Sequence, residues 1–176
     1  MSLETAIWTL GHSTRSLDEF LALLDENGIQ AIADVRSHPG SRHYPQFGQE
    51  SLRESLTQHG LSYRWFQALG GRRKARADSV NGVWRNASFR GYADYMQTAA
   101  FFEGLHELLE LAQQQRTAMM CAEAVWWRCH RSMVADALKA RGVQILHIMG
   151  PKNVVEHPWT APAHIVDGQL SYAAIA

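Results

Sequence analysis

AIWTLGHSTRSLDEFLALLDENGIQAIADV, residues 6–35, is the stretch whose reading decides the architecture. Ala6 to Leu10 is a short apolar run of the length expected for a buried strand. Ser16-Leu17-Asp18-Glu19 has the form of a capping box, in which a hydroxyl and a carboxylate satisfy the free N–H groups of a helix start. Leu17, Phe20, Leu21 and Leu24 then recur at helical spacing, and Asn27-Gly28 supplies a stop. Ile29 to Val35 is apolar again. Strand, helix and strand within about thirty residues is the span that a right-handed parallel crossover requires.

The same alternation continues toward the C-terminus. Gln49 to His59 predicts a helix ended by Gly60, and Leu61 to Phe66 a third strand. Tyr92 to Gln114 predicts a helix with a possible break near Gly104, its apolar face made by Phe101, Leu105, Leu108, Leu109 and Ala112. Ala118 to Cys121 reads as a buried strand, His130 to Arg141 as an amphipathic helix stopped by Gly142, and Val143 to Ile148 as another strand. Asp167-Gly168 between Val166 and Gln169 predicts a hairpin. One α/β domain over residues 1–176 is expected, with a mainly parallel open sheet and helices on both faces (Rossmann-like or flavodoxin-like).

One segment breaks the alternation. Between Arg64 and Arg90 lie Arg64, Arg72, Arg73, Lys74, Arg76, Arg85 and Arg90 against the single acid Asp78. Glycine, serine and asparagine are frequent there, so a basic loop insertion is expected at about 67–90, a length usually kept for function. Trp65, Phe66, Trp84, Phe89 and Tyr92 are interleaved with its arginines. Such a pattern suits bases stacked beside a charged backbone, or equally a solvated loop anchored by its aromatics.

Composition narrows the class without naming a ligand. Apolar residues make up 46% and charged residues 19%, with basic and acidic residues equal at 17 each, so charge attraction must come from local clusters. No apolar run approaches the roughly 20 residues of a membrane span, and the N-terminus lacks a basic region followed by an apolar stretch. A cytoplasmic protein without membrane contact is expected. Two cysteines, Cys121 and Cys129, make no disulfide framework and no C-x2-C zinc pattern.

Chemistry-bearing residues follow nearly every expected strand: Gly11-His12-Ser13, Asp34 with Arg36, Leu69-Gly70-Gly71, Cys121-Ala122-Glu123, and His147. Parallel strands would gather these ends at one edge of the sheet, where open α/β sheets bind ligands. Cys121 is the candidate nucleophile, or else a buried structural thiol. Glu123 and Asp34 are candidate proton-handling carboxylates, or else ion-pair partners of Arg36 or Arg131. His12 or His130 is the second acid–base candidate. Arg36, Arg42 and Arg131 would clamp a phosphate, with Ser13, Ser41, Gly70, Gly71 and Tyr92 lining the site. The spacing from Cys121 to Arg128 is one residue longer than the C-x5-R loop of cysteine phosphatases, so that cradle is not expected. No metal site is assigned, because Cys129 and His130 are adjacent at a helix start and point apart.

Taken together, Thr9-Leu10-Gly11-His12-Ser13, Asp34-Val35-Arg36 with Pro39 and Ser41, Leu69-Gly70-Gly71, Phe89, Tyr92, Cys121-Ala122-Glu123, Cys129-His130-Arg131, His147-Ile148, His157-Pro158, Gly168, Leu170 and Tyr172 resemble an uncharacterised bacterial family catalogued as domain of unknown function 488. Val125-Trp126 departs from the pattern, which would place an acid or proline there. The resemblance implies a compact α/β domain and the grouping of these motifs; it names no reaction, and the cofactor stays unknown. A DNA-repair label on some relatives implies nucleic acid. The expectation is an enzyme, hydrolase or transferase, acting on a small phosphorylated molecule, a nucleotide or nucleic acid. The alternatives are a non-catalytic nucleic-acid-binding module and a thiol redox or metal sensor using Cys121 and Cys129.

Overall fold

A computed structural model describes residues 5–174. Its six-stranded sheet has the order β3-β2-β4-β1-β5-β6, built from β1 (Ala6–Gly11), β2 (Ala31–Asp34), β3 (Ser62–Trp65), β4 (Thr117–Cys121), β5 (Gln144–Gly150) and β6 (Asn153–Glu156). All pairings are parallel except β5 with β6. β2 and β4 are buried along their whole length, as strands covered on both faces must be. The edge strand β6 is exposed throughout. β7 (His164–Val166) and β8 (Gln169–Ser171) form a separate hairpin, with Asp167 and Gly168 both at positive φ, as the Asp-Gly pair predicts.

Strand residues alternate between two cores. Trp8, Leu10, Ile32 and Met120 pack against Phe20 and Leu24 of α1 (Leu17–Glu26) and Leu52 and Leu56 of α2 (Gln49–Gln58). Ile7, Ala33, Met119 and Cys121 face the other way, with Tyr92 of α3 (Ala87–Tyr95), Phe101 and Leu105 of α4 (Ala99–Gln114) and Met133 and Leu138 of α5 (Arg131–Lys139). The sheet is therefore doubly wound and Rossmann-like. β4 sits between β2 and β1, and this sets the position of the site. β1 and β2 lead into helices on one face while β4 leads to the other, so the chain diverges on both sides of the β4 terminus. A crevice opens where such connections part.

The capping box forms: the Ser16 hydroxyl accepts from the Glu19 N–H, and the Glu19 carboxylate accepts from the Ser16 N–H, both at 3.1 Å. Two expectations shift. The long helix is broken at Met96–Thr98, not at Gly104, and Thr98 caps the second piece. Gly104 is continuous helix: its bare Cα lets Ala68 close in, since a Cβ there would lie 2.9 Å from that methyl. The basic loop is shorter than expected, because 87–90 form the first turn of α3, capped by the Asn86 side chain. The antiparallel strand β6 has no counterpart in the expected elements.

Candidate functional site

Between β4 and α5 the chain runs through a loop, residues 122–130, with a short helical turn at Trp126–Arg128. Gly11 makes this path possible. Any Cβ at that position would meet the Glu123 carbonyl oxygen at 1.7 Å, so only glycine lets the loop cross the end of β1. The loop covers a crevice of about 640 Å³ lined by His12, Ser13, Arg42, Arg72, Cys129 and His130, among others. A second cleft, about 460 Å³, is lined by Trp127 and Arg128 and shares Arg72, Glu123, Cys129 and His130 with the first. The thiol and imidazole thus stand where two clefts meet.

Cys121 and Cys129 are free thiols whose Sγ atoms lie 3.1 Å apart. Burial pushes the Cys121 thiol well up. The Cys129 thiol lies below its ordinary value, held there first by the hydrogen bond with Cys121. The Arg131 charge and its backbone N–H, 3.4 Å from Sγ, add to this against the penalty of burial. Of the two thiols, Cys129 rather than the expected Cys121 has the surroundings that favour ionisation. Beside it, His130 Nε2 donates to the Val35 carbonyl at 2.8 Å, and Nδ1 stands 3.4 Å from Cys129 Sγ. Burial holds this imidazole below its usual value, so it is neutral. With Nε2 protonated toward Val35, Nδ1 presents a lone pair to the thiol. Thiol, imidazole and backbone acceptor thus stand in line. Gly71 leaves room for the ring, since a Cβ there would lie 2.9 Å from Nδ1.

The expected carboxylate and arginine roles divide. Asp34 is fully buried and saturated: Arg36 Nε and Nη2 donate to its two oxygens at 2.9 and 2.8 Å, and the Tyr63 hydroxyl donates at 2.5 Å. The Arg36 guanidinium is largely engaged in turn, its Nη1 donating to the Phe47 carbonyl at 2.8 Å and facing His12 Nε2 at 3.4 Å, although the residue still lines the crevice. Asp34 is thus an ion-pair partner, not a free base, and Arg36 is a strut for the 37–47 loop, not a free clamp. His12 donates from Nδ1 to the Ser13 carbonyl at 3.0 Å and stacks on Phe47, and burial lowers its pKa. Glu123 alone keeps an exposed carboxylate in the crevice.

Arg131 is 1% exposed and has no acid partner among the described residues. Its Nη2 donates to the carbonyls of Glu123 and Ala124, at 3.3 and 3.4 Å, while Nε and Nη1 are buried without partners. It lies beneath the loop, where its charge acts on Cys129, and does not line the crevice. Of the three expected clamp residues, Arg42 is the one exposed in the crevice, and Arg72 joins it from the basic loop. Ser13 and Arg72 both have positive φ, 48° and 53°, and both line this crevice; Lys152 and Asp167, the other such residues, sit in hairpin turns. Strained backbone held at a cleft is a mark of function.

The remaining expected residues have structural partners. Ser41 Oγ accepts from the Tyr44 N–H at 3.0 Å at the crevice rim, and Gly70 packs on Ser37, whose own Oγ is buried and unpaired. Tyr92 is buried, with its hydroxyl on the Leu69 carbonyl and its ring against His130. The aromatics of the basic segment also face inward: Trp65 donates to the Arg36 carbonyl, and Trp84 packs on Phe89 and Tyr172. Arg64, Arg73 and Arg76 are tied to Glu107, to Tyr95 and loop carbonyls, and to Asp78. Trp127, 53% exposed, is the aromatic platform left open, and composition carried no signal for it.

A family model described as Domain of unknown function DUF488 matches residues 16–138. The chain belongs to that family. The matched span holds Arg36, Gly71, Cys121, Glu123, Cys129 and His130, and stops before His147 and His157. No curated protein and no solved structure matches the chain. Among the described residues no helix is long and apolar enough to cross a membrane, and no three His, Cys, Asp or Glu side chains are grouped to hold a metal ion.

Proposed function

We propose that this member of the DUF488 family is an enzyme, a hydrolase or transferase, acting on a phosphate-bearing substrate, either a nucleotide or a nucleic-acid strand. The observation that carries the reading is the meeting of two clefts at one thiol–imidazole pair. Arg42 and Arg72 offer charge in the larger cleft, beside Ser13, whose hydroxyl suits a phosphate oxygen. Trp127 offers a stacking face in the smaller one. A ligand with a base and a phosphate matches that pair of surfaces, and its reacting bond would lie over Cys129.

In this reading His130 Nδ1 takes the Cys129 proton, the thiolate attacks, and the same imidazole returns the proton to the leaving oxygen. Glu123, exposed beside them, would activate the water or acceptor that resolves the intermediate. Arg36 and Asp34 position the 37–47 loop, and Arg131 supports the thiolate from below.

The test is protection of Cys129 from a charged alkylating reagent at low salt, read site by site by mass spectrometry. A nucleoside monophosphate, inorganic phosphate and a short single-stranded oligonucleotide are the probes. Protection by the nucleotide or oligonucleotide, weakened by salt and lost in the Arg42→Ala/Arg72→Ala double variant, supports the reading. Unchanged labelling with every phosphate-bearing probe sinks it. Protection by these probes with no turnover of any of them by the native protein would instead make the chain a binding module.

A further inference from the structure

The protein keeps two buried thiols in contact at the floor of an open crevice, although one nucleophile needs only one. Cys121 ends β4, Cys129 precedes α5, and the loop folds so that their Sγ atoms stand 3.1 Å apart. A disulfide bond is about 2.05 Å long, so closure needs an approach of about 1 Å, within the reach of side-chain rotation on a nine-residue loop. Cys129 lines both clefts and Cys121 the larger one, so a small oxidant entering from solvent meets both. Beneath them Arg131 holds two buried donors, Nε and Nη1, that no protein group satisfies.

We propose that Cys121 and Cys129 are a peroxide-oxidised pair, Cys129 being the attacking thiol and Cys121 the resolving one, and that their disulfide closes the crevice's nucleophile.

The steps balance. His130 Nδ1 accepts the Cys129 proton, and the thiolate attacks the near oxygen of a hydroperoxide. The S–O bond forms as the O–O bond breaks, and the leaving oxygen takes the proton back from His130 as alcohol or water. Cys129 is now a sulfenic acid, its sulfur oxidised and the peroxide reduced. Cys121 Sγ then attacks the sulfenic sulfur; the S–S bond forms and water leaves with the Cys121 proton. An external thiol reverses the change by exchange.

Geometry assigns the order of the pair. Cys129 has the imidazole lone pair at 3.4 Å and the Arg131 N–H at 3.4 Å, both of which favour a thiolate. Cys121 has only the Glu123 carbonyl at 3.6 Å and its partner thiol, which keep it protonated at rest and leave the first attack to Cys129; it gives up that proton to the departing water when it resolves the sulfenic acid. The oxidation needs only the two thiols; that it silences the crevice rests on the proposal that Cys129 is the nucleophile there.

The experiment treats the full-length protein with hydrogen peroxide, with and without dimedone, and reads intact mass and peptides. The expected result is a product lighter by two hydrogens, a Cys121–Cys129 linked peptide, and full reversal by dithiothreitol. In Cys121→Ser the expected product is a dimedone adduct at Cys129; in Cys129→Ser neither adduct nor linked peptide forms. Direct passage of wild-type Cys129 to sulfinic acid without a linked peptide overturns the proposal, and that reading needs no variant to fold. A disulfide that forms while turnover continues leaves the pair standing and removes Cys129 as the enzyme's nucleophile. Absence of the disulfide, with turnover blocked by alkylation of Cys129, overturns the pair and leaves the nucleophile in place.

Discussion

Two histidine-bearing regions flank α5 and are built on opposite plans. At the helix start, His130 and Cys129 face two clefts, with Nδ1 met only by the Cys129 thiol at 3.4 Å, Glu123 exposed and two buried Arg131 donors unpaired. Further along the helix, Asp136 anchors a chain in which nothing is left over. One Asp136 oxygen accepts from His157 Nε2 at 2.8 Å and the Thr160 N–H at 3.1 Å; the other accepts from the Thr160 and Tyr172 hydroxyls. An ionised carboxylate only accepts, so His157 carries its proton on Nε2 and receives on Nδ1 from His147 Nε2, 2.8 Å away. His147 Nδ1 in turn receives from the Thr9 hydroxyl at 2.5 Å, and Trp126 stacks on its ring. Sequence composition makes the two regions look alike. The difference lies in valence: a network with every donor and acceptor used rigidifies the core, while one with open valences is available to a ligand.

The sharpest way to break this comparison is Asp136→Ala. Removing the acceptor strands His157, Thr160 and Tyr172 in the core, and a loss of about 3–5 kcal/mol in urea unfolding is expected. A loss below about 1 kcal/mol would mean that the closed network is not what holds this layer together.

Acid should act next, and through the same region. Burial, with the neighbouring His157 and Arg131, holds the His147 pKa down at about 2 against an ordinary value of 6.5. Below pH 6.5 the unfolded chain binds a proton that the folded chain refuses. Stability is therefore complete above that pH and drains as pH falls toward the folded value. Between pH 6.5 and 5, His147 alone should cost about 2 kcal/mol. His12 and His130, also lowered by burial, add in the same direction. Urea midpoints that stay flat from pH 7 to 5 would contradict this, and His147→Asn should flatten the slope.

Cys129→Ser belongs to the open region and should change stability by no more than about 1 kcal/mol, while abolishing turnover and the alkylation that nucleotide protects. A large destabilisation would place Cys129 with the closed network. The smallest effect expected is from Arg72→Gly. Its φ of 53° is strained for arginine, so glycine should raise stability by about 0.5–1 kcal/mol while weakening anion protection of Cys129. A gain without loss of binding would remove Arg72 from the crevice's work.

Much of the frame was legible because its signals are local. The capping box at Ser16, the alternation through β1, β2 and β4, the Asp167-Gly168 turn and the gathering of polar residues at strand ends all follow from neighbours within a few positions. β6 escaped because an exposed edge strand lacks apolar alternation, and the break at Met96–Thr98 escaped because Gly104 is the more conspicuous punctuator. At the site, Cys121, Cys129, Glu123 and His130 were singled out from their types and order. Arg36 and Asp34 were singled out too, but their adjacency is what joins them to each other and takes both away from a ligand.

By itself the sequence determined a parallel α/β sheet and the edge at which polar side chains gather, since hydrophobic period and helix caps act over a few residues. Only the tertiary structure decided which groups there remain free. It placed β4 between β2 and β1, brought Cys121 to Cys129, turned the Nδ1 of His130 toward a thiol, buried Arg131 and left Arg72 in the open. A side chain's charge and tautomer depend on the partners that distant segments bring to it, and on how much water those segments exclude.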